Sequence, residues 1–170
     1  MADEETRVRA ATLADASGIA RVHVNSWRET YAELVPGRFF SESAFGRRKT
    51  WWTERLSENP RFGTIFVALR GNAIIGFASA GPAVGSDVEK GHPAVRETHL
   101  YTIYLLASEH GAGVGRSLLQ NVIGEAPAQL WVAAGNARAI AFYERNGFRA
   151  DGVEVTDPAI EGLVEIRMVR

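Results

Sequence analysis

The spacing of apolar and polar residues along the chain predicts four helices. From Ile19 to Thr30, apolar residues recur at helical intervals, which predicts a first helix ending near Tyr31. A second, more charged helix is predicted over 41–56, since Asn59-Pro60 stops any extension beyond it. Two more helices are predicted in the second half, one ending at about residue 124 and one over 137–145.

Short runs of apolar and β-branched residues between these helices predict about seven strands. They lie at 8–11, 64–69, 73–79, 97–106, 129–133, 148–155 and 163–169. Arg70-Gly71-Asn72 is typical of a three-residue hairpin turn between the second and third strands. The intervening segment 81–95 is a long loop, and such loops in compact domains are more often functional than idle. Because strands alternate with helices in the second half, the order of elements predicts a mixed α/β fold.

Composition narrows the function classes. With 170 residues, 46% of them hydrophobic, we expect one domain over 7–170 after a flexible N-terminus over 1–6. A net charge of −1 gives no indication of a nucleic-acid or membrane partner. The chain has no cysteine and no H-x-x-x-H pair, so thiol catalysis is excluded and no metal is expected. The acidic, polar start does not resemble a signal peptide, which favours a cytoplasmic protein.

The most informative segment is the glycine-rich run from His110 to Arg116. Three alternating glycines between a predicted strand and a predicted helix leave backbone N–H groups free to converge on a phosphate. The spacing does not match a dinucleotide-binding fingerprint or a P-loop, which requires one more residue and a lysine. A glycine turn without a ligand is the alternative interpretation of this segment taken alone.

Two motifs in the second half resemble those of the GNAT superfamily of acyl-CoA-dependent N-acyltransferases. The family's cofactor motif, [QR]-x-x-G-x-[GA], corresponds to His110–Gly115, with a histidine replacing the first glutamine or arginine. The family's second motif, N-x-x-[AS]-x-x-[FL]-Y-x-x-x-G-F, corresponds without departure to Asn136–Phe148. The resemblance implies a GNAT fold, in which a central mixed sheet contains two parallel strands that splay apart.

The resemblance also implies the cofactor and the residues that bind it. Acetyl-CoA would be the co-substrate, with its pantetheine arm on the main chain of one splayed strand and its pyrophosphate on the glycine turn. The residues implied are Ile103, Tyr104, Leu105, His110, Gly111, Ala112, Gly113, Val114, Gly115, Arg116, Asn136 and Tyr143. Arg116 is open to a second interpretation, as a solvated residue in the first turn of the helix.

Asn136 and Tyr143 are seven residues apart, so they share one face of the predicted helix. Asn136 is equally well suited to cap that helix, and a cap can also bond a cofactor. Family members place a phenol at the position of Tyr143 beside the cofactor sulfur. A tyrosine has an ordinary pKa of about 10, so it is protonated at neutral pH and can act as a general acid.

The general base is less well defined. Glu97, His99 and Tyr101 alternate on one face of the strand before the glycine turn. The family's catalytic glutamate aligns with His99, which makes this imidazole the first candidate and Glu97, acting through water, the second. That neither residue acts is a third interpretation. The oxyanion would be met by a backbone N–H near Ile103 or Leu105.

The acceptor side is predicted in the first two helices. The segment His23–Tyr31 resembles the S-W-R-x-x-Y pattern of a GNAT subgroup, and in this superfamily the first two helices wall the acceptor site. Trp27 and Tyr31 would then line an aromatic pocket in which Glu29 holds an ammonium group. Phe39, Phe40 and Trp51 are further candidates for its wall, and Glu33 for the carboxylate. Aromatic residues at helical spacing are, however, more often core residues, and Trp27 is open to that interpretation.

We therefore predict an N-acetyltransferase that transfers acetyl from acetyl-CoA to a primary amine by direct attack in a ternary complex. The acceptor would be a small-molecule amine or a peptide amine. Tyr143 would be the acid. The alternative from another class is a CoA-binding sensor or regulator that has the fold without turnover. Homodimers are common in the family, and the sequence leaves a homodimer open.

Overall fold

The computed structural model describes residues 5–33 and 35–170. In this part of the chain there are seven strands: β1 (Thr6–Ala10), β2 (Thr64–Arg70), β3 (Ala73–Pro82), β4 (Thr98–Leu105), β5 (Ala128–Ala133), β6 (Arg149–Thr156) and β7 (Val164–Val169). The helices of the described residues are α1 (Ala16–Tyr31), α2 (Glu42–Ser57), α3 (Ser86–Glu89), α4 (Val114–Ile123) and α5 (Ala137–Arg145). The predicted mixed α/β class and all seven strands are confirmed. The additional helix, α3, is a single turn within the predicted long loop.

Capping residues at the helix ends explain why most helix bounds agree with the prediction. The Ser41 hydroxyl accepts a hydrogen bond from the N–H of Ala44 and starts α2. Gly124, with φ of +55°, ends α4 in a backbone conformation that glycine favours. Residues 1–4 of the predicted flexible N-terminus lie outside the described residues, as does Leu34 of the predicted break after α1. The hairpin turn is shorter than predicted, because Arg70 is the last residue of β2.

The strands form one sheet in the order β1-β2-β3-β4-β5-β7-β6. β4 and β5 are parallel, whereas β1 with β2, β5 with β7 and β6 with β7 are antiparallel. The register of the parallel pair comprises only Thr98 opposite Ala128 and His99 opposite Gln129. β4 continues for six more residues after His99, which agrees with the expected splay of two central parallel strands.

Packing divides the chain into two compact units. The first comprises the residues up to 79 together with 102–124, and the second comprises 80–101 and 125–170. β3 and β4 each contribute residues to both. The single domain predicted over 7–170 stays a prediction. The core of the first unit lies where α1 and α2 cover its strands, and its fully buried members include Ile19, Val22, Trp52, Val67 and Phe77.

A buried amide organises the second unit. Gln129 of β5 has no exposed surface, and its side-chain oxygen accepts hydrogen bonds from the N–H groups of Val95 and Arg96, at 2.7 and 3.1 Å. The same residue therefore fixes the end of the long loop on the sheet. Leu130, Phe148 and Met168 are fully buried apolar residues of the same unit. A buried amide is tolerated because its polar atoms are bonded.

In the first unit, β3 and β4 approach each other closely at Gly76. A Cβ atom built there would lie 2.5 Å from Cδ1 of Leu105, 3.0 Å from the carbonyl oxygen of Tyr104 and 3.3 Å from Cδ1 of Leu118. Only glycine leaves room for this contact. The position thus fixes how the last residues of β4 sit between β3 and α4.

We expect Gly76→Ala to lower the free energy of unfolding by about 1–3 kcal/mol, because the backbone oxygen of Tyr104 cannot move aside cheaply. Gly46→Ala, in α2, is the matched control. A Cβ atom at Gly46 meets nothing within 4 Å, so alanine there should raise stability by about 0.5–1 kcal/mol. Urea denaturation of both variants measures these changes, and equal effects would contradict the close-approach argument.

Candidate active site

The glycine turn adopts a backbone that other residues rarely adopt. Gly111 and Gly113 have φ of +85° and +80°, and a Cβ atom built on either meets no atom within 4 Å. Helix α4 begins directly afterwards at Val114, so the N–H groups of its first turn have no partner within the helix. An open stretch of main chain at the positive end of a helix dipole suits an anion. Arg116 in that first turn is exposed.

Two side chains hold the segment between β4 and this turn. The ring of His110 donates a hydrogen bond from Nε2 to the carbonyl oxygen of Leu105, at 3.1 Å. The carboxylate of Glu29 accepts a hydrogen bond from the N–H of Ala107, at 2.9 Å. His110, the one departure from the family's first motif, thus fastens the turn to the last residue of β4.

The residues predicted to bind the pantetheine arm lie at the end of β4, and all three are partly exposed. The ring of Tyr104 is stacked on that of His23 with centroids 4.9 Å apart. The side chain of Leu105 fits against Gly76. Because the side chains of Tyr104 and Leu105 are used in packing, any role of these two residues toward a cofactor falls to their main-chain groups.

Asn136 and Tyr143 lie at the start and in the last turns of α5. The side-chain oxygen of Asn136 accepts a hydrogen bond from the N–H of Ala139, at 3.1 Å, so the predicted capping role is confirmed. Tyr143 is 8% exposed, and its ring meets the edges of Phe142 and Phe148 at 5.4 and 5.9 Å between centroids. These rings fix the orientation of the Tyr143 phenol.

His99 is almost completely buried, with 4% exposure. Its Nδ1 accepts a hydrogen bond from the side-chain amide of Gln129 at 3.4 Å, which places the ring proton on Nε2. Burial, and secondarily the positive charge of Lys90, lower the pKa of His99 to about 4. The imidazole is therefore neutral at physiological pH and a much weaker base than an ordinary histidine.

Glu97 has a different environment. It is exposed and immediately precedes β4, and its carbonyl oxygen accepts a hydrogen bond from the N–H of Ala83. An exposed carboxylate can take up a proton through water. Exposure thus favours Glu97 over the buried His99 as a proton acceptor.

Two contacts that the sequence patterns do not indicate hold α3 and the residue after it on β5 and β7. Lys90, just after α3, forms an ion pair with Glu165 of β7. The indole N–H of Trp131 donates to the carbonyl oxygen of Val88, at 2.6 Å. Gln129, a polar residue in an otherwise apolar strand, is a sequence signal only for the contact with Val95 and Arg96 at the end of the loop. These contacts make part of the predicted loop an ordered structure.

On the acceptor side, the structure brings together three of the predicted aromatic residues. The ring of Trp27 lies 5.4 Å from Tyr31 and 6.3 Å from Phe39, measured between centroids. Trp51 is not part of this group; it is 48% exposed and packs edge-on against Trp52. Glu29, predicted to hold an ammonium group, is instead the partner of a main-chain N–H.

Two further findings concern the described residues 5–33 and 35–170. They contain no group of three or more histidine, aspartate or glutamate side chains arranged to hold a metal ion. None of their helices combines the length and apolarity that crossing a membrane requires.

A comparison with protein families decides the classification. Residues 24–148 match the model described as "Acetyltransferase (GNAT) family". The chain belongs to this family. The resemblance on which the sequence analysis depended is thereby confirmed.

Similar proteins and solved structures agree with this family assignment. The chain is 37% identical over 113 residues to "Uncharacterized N-acetyltransferase YuaI" of Bacillus subtilis, a match that covers 66% of this chain and 59% of that protein. It is 25% identical over 168 residues to "Probable N-acetyltransferase Rv2775" of Mycobacterium tuberculosis, covering 96% and 91%. The PaiA N-acetyltransferase of Thermoplasma acidophilum, solved in complex with coenzyme A, shares the fold with a TM-score of 0.71, 19% identity and 98% coverage of both chains.

The depressed pKa of His99 predicts a pH-dependent stability. Between pH 6.5 and about 4, His99 binds a proton in the unfolded chain but not in the folded chain. The free energy of unfolding therefore has its full value above pH 6.5 and decreases as the pH falls through this range. The loss attributable to His99 should reach about 3 kcal/mol. Denaturation of wild type and His99→Gln over this range measures it, because the glutamine variant lacks this contribution. Identical slopes for the two proteins would contradict the assignment.

Proposed function

We propose that this protein transfers an acetyl group from acetyl-CoA to a primary amine. The observation that carries the proposal is the glycine turn before α4, where Gly111 and Gly113 have left-handed backbones with open space beside them. The first-turn N–H groups of α4 and the positive end of its dipole suit the pyrophosphate. Gly111, Ala112, Gly113, Val114, Gly115 and Arg116 would hold it.

Acetyl-CoA supplies an activated acetyl group as a thioester. In the overall transfer a bond forms between the acceptor nitrogen and the acetyl carbon, and the carbon–sulfur bond breaks. One proton leaves the nitrogen and one reaches the sulfur, so the protein needs a proton acceptor and a proton donor. The chain contains no cysteine, and this supports direct attack in a ternary complex over a thiol-bound acyl enzyme.

Tyr143 is the proposed donor. A phenol is protonated at neutral pH, and the packing of Phe142 and Phe148 against this ring keeps its orientation fixed. Asn136, which caps the same helix, would bond the pantetheine arm in addition to its capping role. Main-chain groups of Ile103, Tyr104 and Leu105 would bind the rest of the arm.

Glu97 is the proposed proton acceptor, through water, because its carboxylate is exposed. His99 would then be a positioning residue whose neutral ring is bonded to Gln129 and stacked on Tyr101, with centroids 5.6 Å apart. If His99 is the base instead, the acidic limb of the rate profile should have an apparent pKa of about 4 and should be lost in His99→Gln.

The glycine turn gives a direct test of cofactor binding. Gly113→Ala should weaken coenzyme A binding by about tenfold or more, because the methyl group enters the open space and strains a backbone at φ of +80°. Gly162→Ala is the matched control, since Gly162 has the same φ and equally open surroundings in a different turn. Titration calorimetry measures both affinities. Equal affinities would show that this turn does not hold the cofactor.

The proposed acid is tested by Tyr143→Phe, which removes the phenolic proton and keeps the ring. We expect kcat to fall by about a hundredfold or more while acetyl-CoA affinity stays nearly unchanged. A thiol-release assay with a panel of primary amines measures the first quantity and calorimetry the second. Unchanged kcat would remove Tyr143 from the mechanism. Binding of acetyl-CoA without thiol release for any amine, already in the wild type, would favour the CoA-binding sensor.

A further inference from the structure

The first unit contains a cluster of hydrogen-bond donors between α1 and α2. We call it the donor cluster; its members are His23 and Trp27 of α1 with Arg48 and Trp52 of α2. Nη1 of Arg48 lies 2.5 Å from Nε2 and 3.2 Å from Nδ1 of the His23 ring. The guanidinium carbon of Arg48 lies 5.0 Å from the centre of the Trp27 ring.

Hydrogen-bond accounting shows that this cluster has too few acceptors. Indole and guanidinium groups only donate, and a neutral imidazole offers a single lone pair. The ring can accept either from the indole of Trp52 at Nδ1, at 3.3 Å, or from Nη1 of Arg48 at Nε2, at 2.5 Å, but not from both. Burial, followed by the charge of Arg48, holds the pKa of His23 well below its usual value, and the ring is neutral.

Two donors of the cluster are left over. Nε1 of Trp27 and Nε of Arg48 are buried and have no hydrogen-bond partner among the residues that the structure describes. Buried donors without a partner are rare and costly, and they point to a missing acceptor. The side chains of both residues are partly exposed, so the cluster borders solvent.

The charge of the cluster is also unbalanced. Within residues 5–33 and 35–170, no carboxylate forms an ion pair with Arg48. Burial lowers the pKa of Arg48, but a guanidinium stays charged in proteins. The carboxylate of Glu29, which was predicted to hold an ammonium group, accepts a hydrogen bond from the N–H of Ala107. A cationic cluster attracts a ligand group that carries negative charge and repels one that carries positive charge.

We propose that the donor cluster binds a carboxylate, and that the amine acceptor of this protein carries one. A carboxylate supplies the acceptor atoms that Trp27 and Arg48 lack, and a guanidinium binds it through paired hydrogen bonds. The rings of Tyr31 and Phe39 beside Trp27 contact the apolar part of such a molecule. The substrate class is therefore amino acids and other amines with a carboxylate. The inference about the acceptor depends on the proposed acetyl transfer.

Binding is tested without any reaction by the indole N–H resonances of the four tryptophans in the ¹⁵N-labelled full chain. Trp27→Phe identifies the Trp27 resonance. Titration with pentanoate should shift this resonance, whereas pentanamide should not. The shift should disappear in Arg48→Gln, persist with at least about tenfold weaker affinity in Arg48→Lys, and be unchanged in the control Arg47→Gln. Arg47 is exposed and donates to Ser43.

A shift that is absent with pentanoate, equal with pentanamide or unaffected by Arg48→Gln would overturn the proposal. Inorganic phosphate is the second anion to be titrated, and tighter binding of phosphate than of pentanoate would overturn the carboxylate assignment. The dispersion of the remaining indole resonances shows whether each variant is folded.

Turnover tests the acceptor class. Amino acids from 3-aminopropanoate to 6-aminohexanoate are compared with their amides, whose amines differ little because the changed group is remote. The acids should be acetylated with kcat/KM about tenfold or more above the amides, and Arg48→Gln should abolish this preference. Equal values for acids and amides in the wild type would overturn the acceptor assignment. If no amine is acetylated while pentanoate still shifts the Trp27 resonance, the proposed acetyl transfer fails and the carboxylate site stands.

Discussion

The parallel pairing of β4 with β5 is short, and the proposed binding of acetyl-CoA depends on this short pairing. The register ends at His99 and Gln129, whose buried side chains are hydrogen-bonded to each other. β4 continues beyond this point, so its later backbone groups are not committed to a regular parallel ladder. Main-chain donors and acceptors that are free of a ladder can bind an extended ligand, as an added strand would.

The two buried histidines, His23 and His99, differ in their hydrogen-bonding surroundings. The neutral ring of His99 has one lone pair, and the side-chain amide of Gln129 donates to it. His23 is equally neutral, but two donors, the Trp52 indole and the Arg48 guanidinium, approach its single lone pair, and Nε1 of Trp27 and Nε of Arg48 have no partner among the described residues. A satisfied polar pair stabilises a fold, whereas a surplus of one kind of group favours a complementary ligand. The same residue type therefore has a structural role in one unit and points to a binding role in the other.

Sequence patterns were sufficient where the information is local. The bounds of α2 and α5 follow from the caps Ser41 and Asn136, and the glycine turn follows from the spacing of its glycines. The single turn α3 is too short to have a helical period. The donor cluster could not be found, because His23 and Arg48 are 25 residues apart on different helices. The burial of His99, and with it the weakness of its ring as a base, depends on tertiary packing that no local pattern records.

The hydrogen bond between Glu29 and Ala107 has a consequence for how the sequence of α1 can diverge. Position 29 supports a turn 78 residues away in the chain, so its replacement would disturb the segment leading to the glycine turn, whatever the acceptor is. We therefore expect position 29 to stay acidic even where selection changes the substrate. Libraries built to change specificity should leave that glutamate untouched.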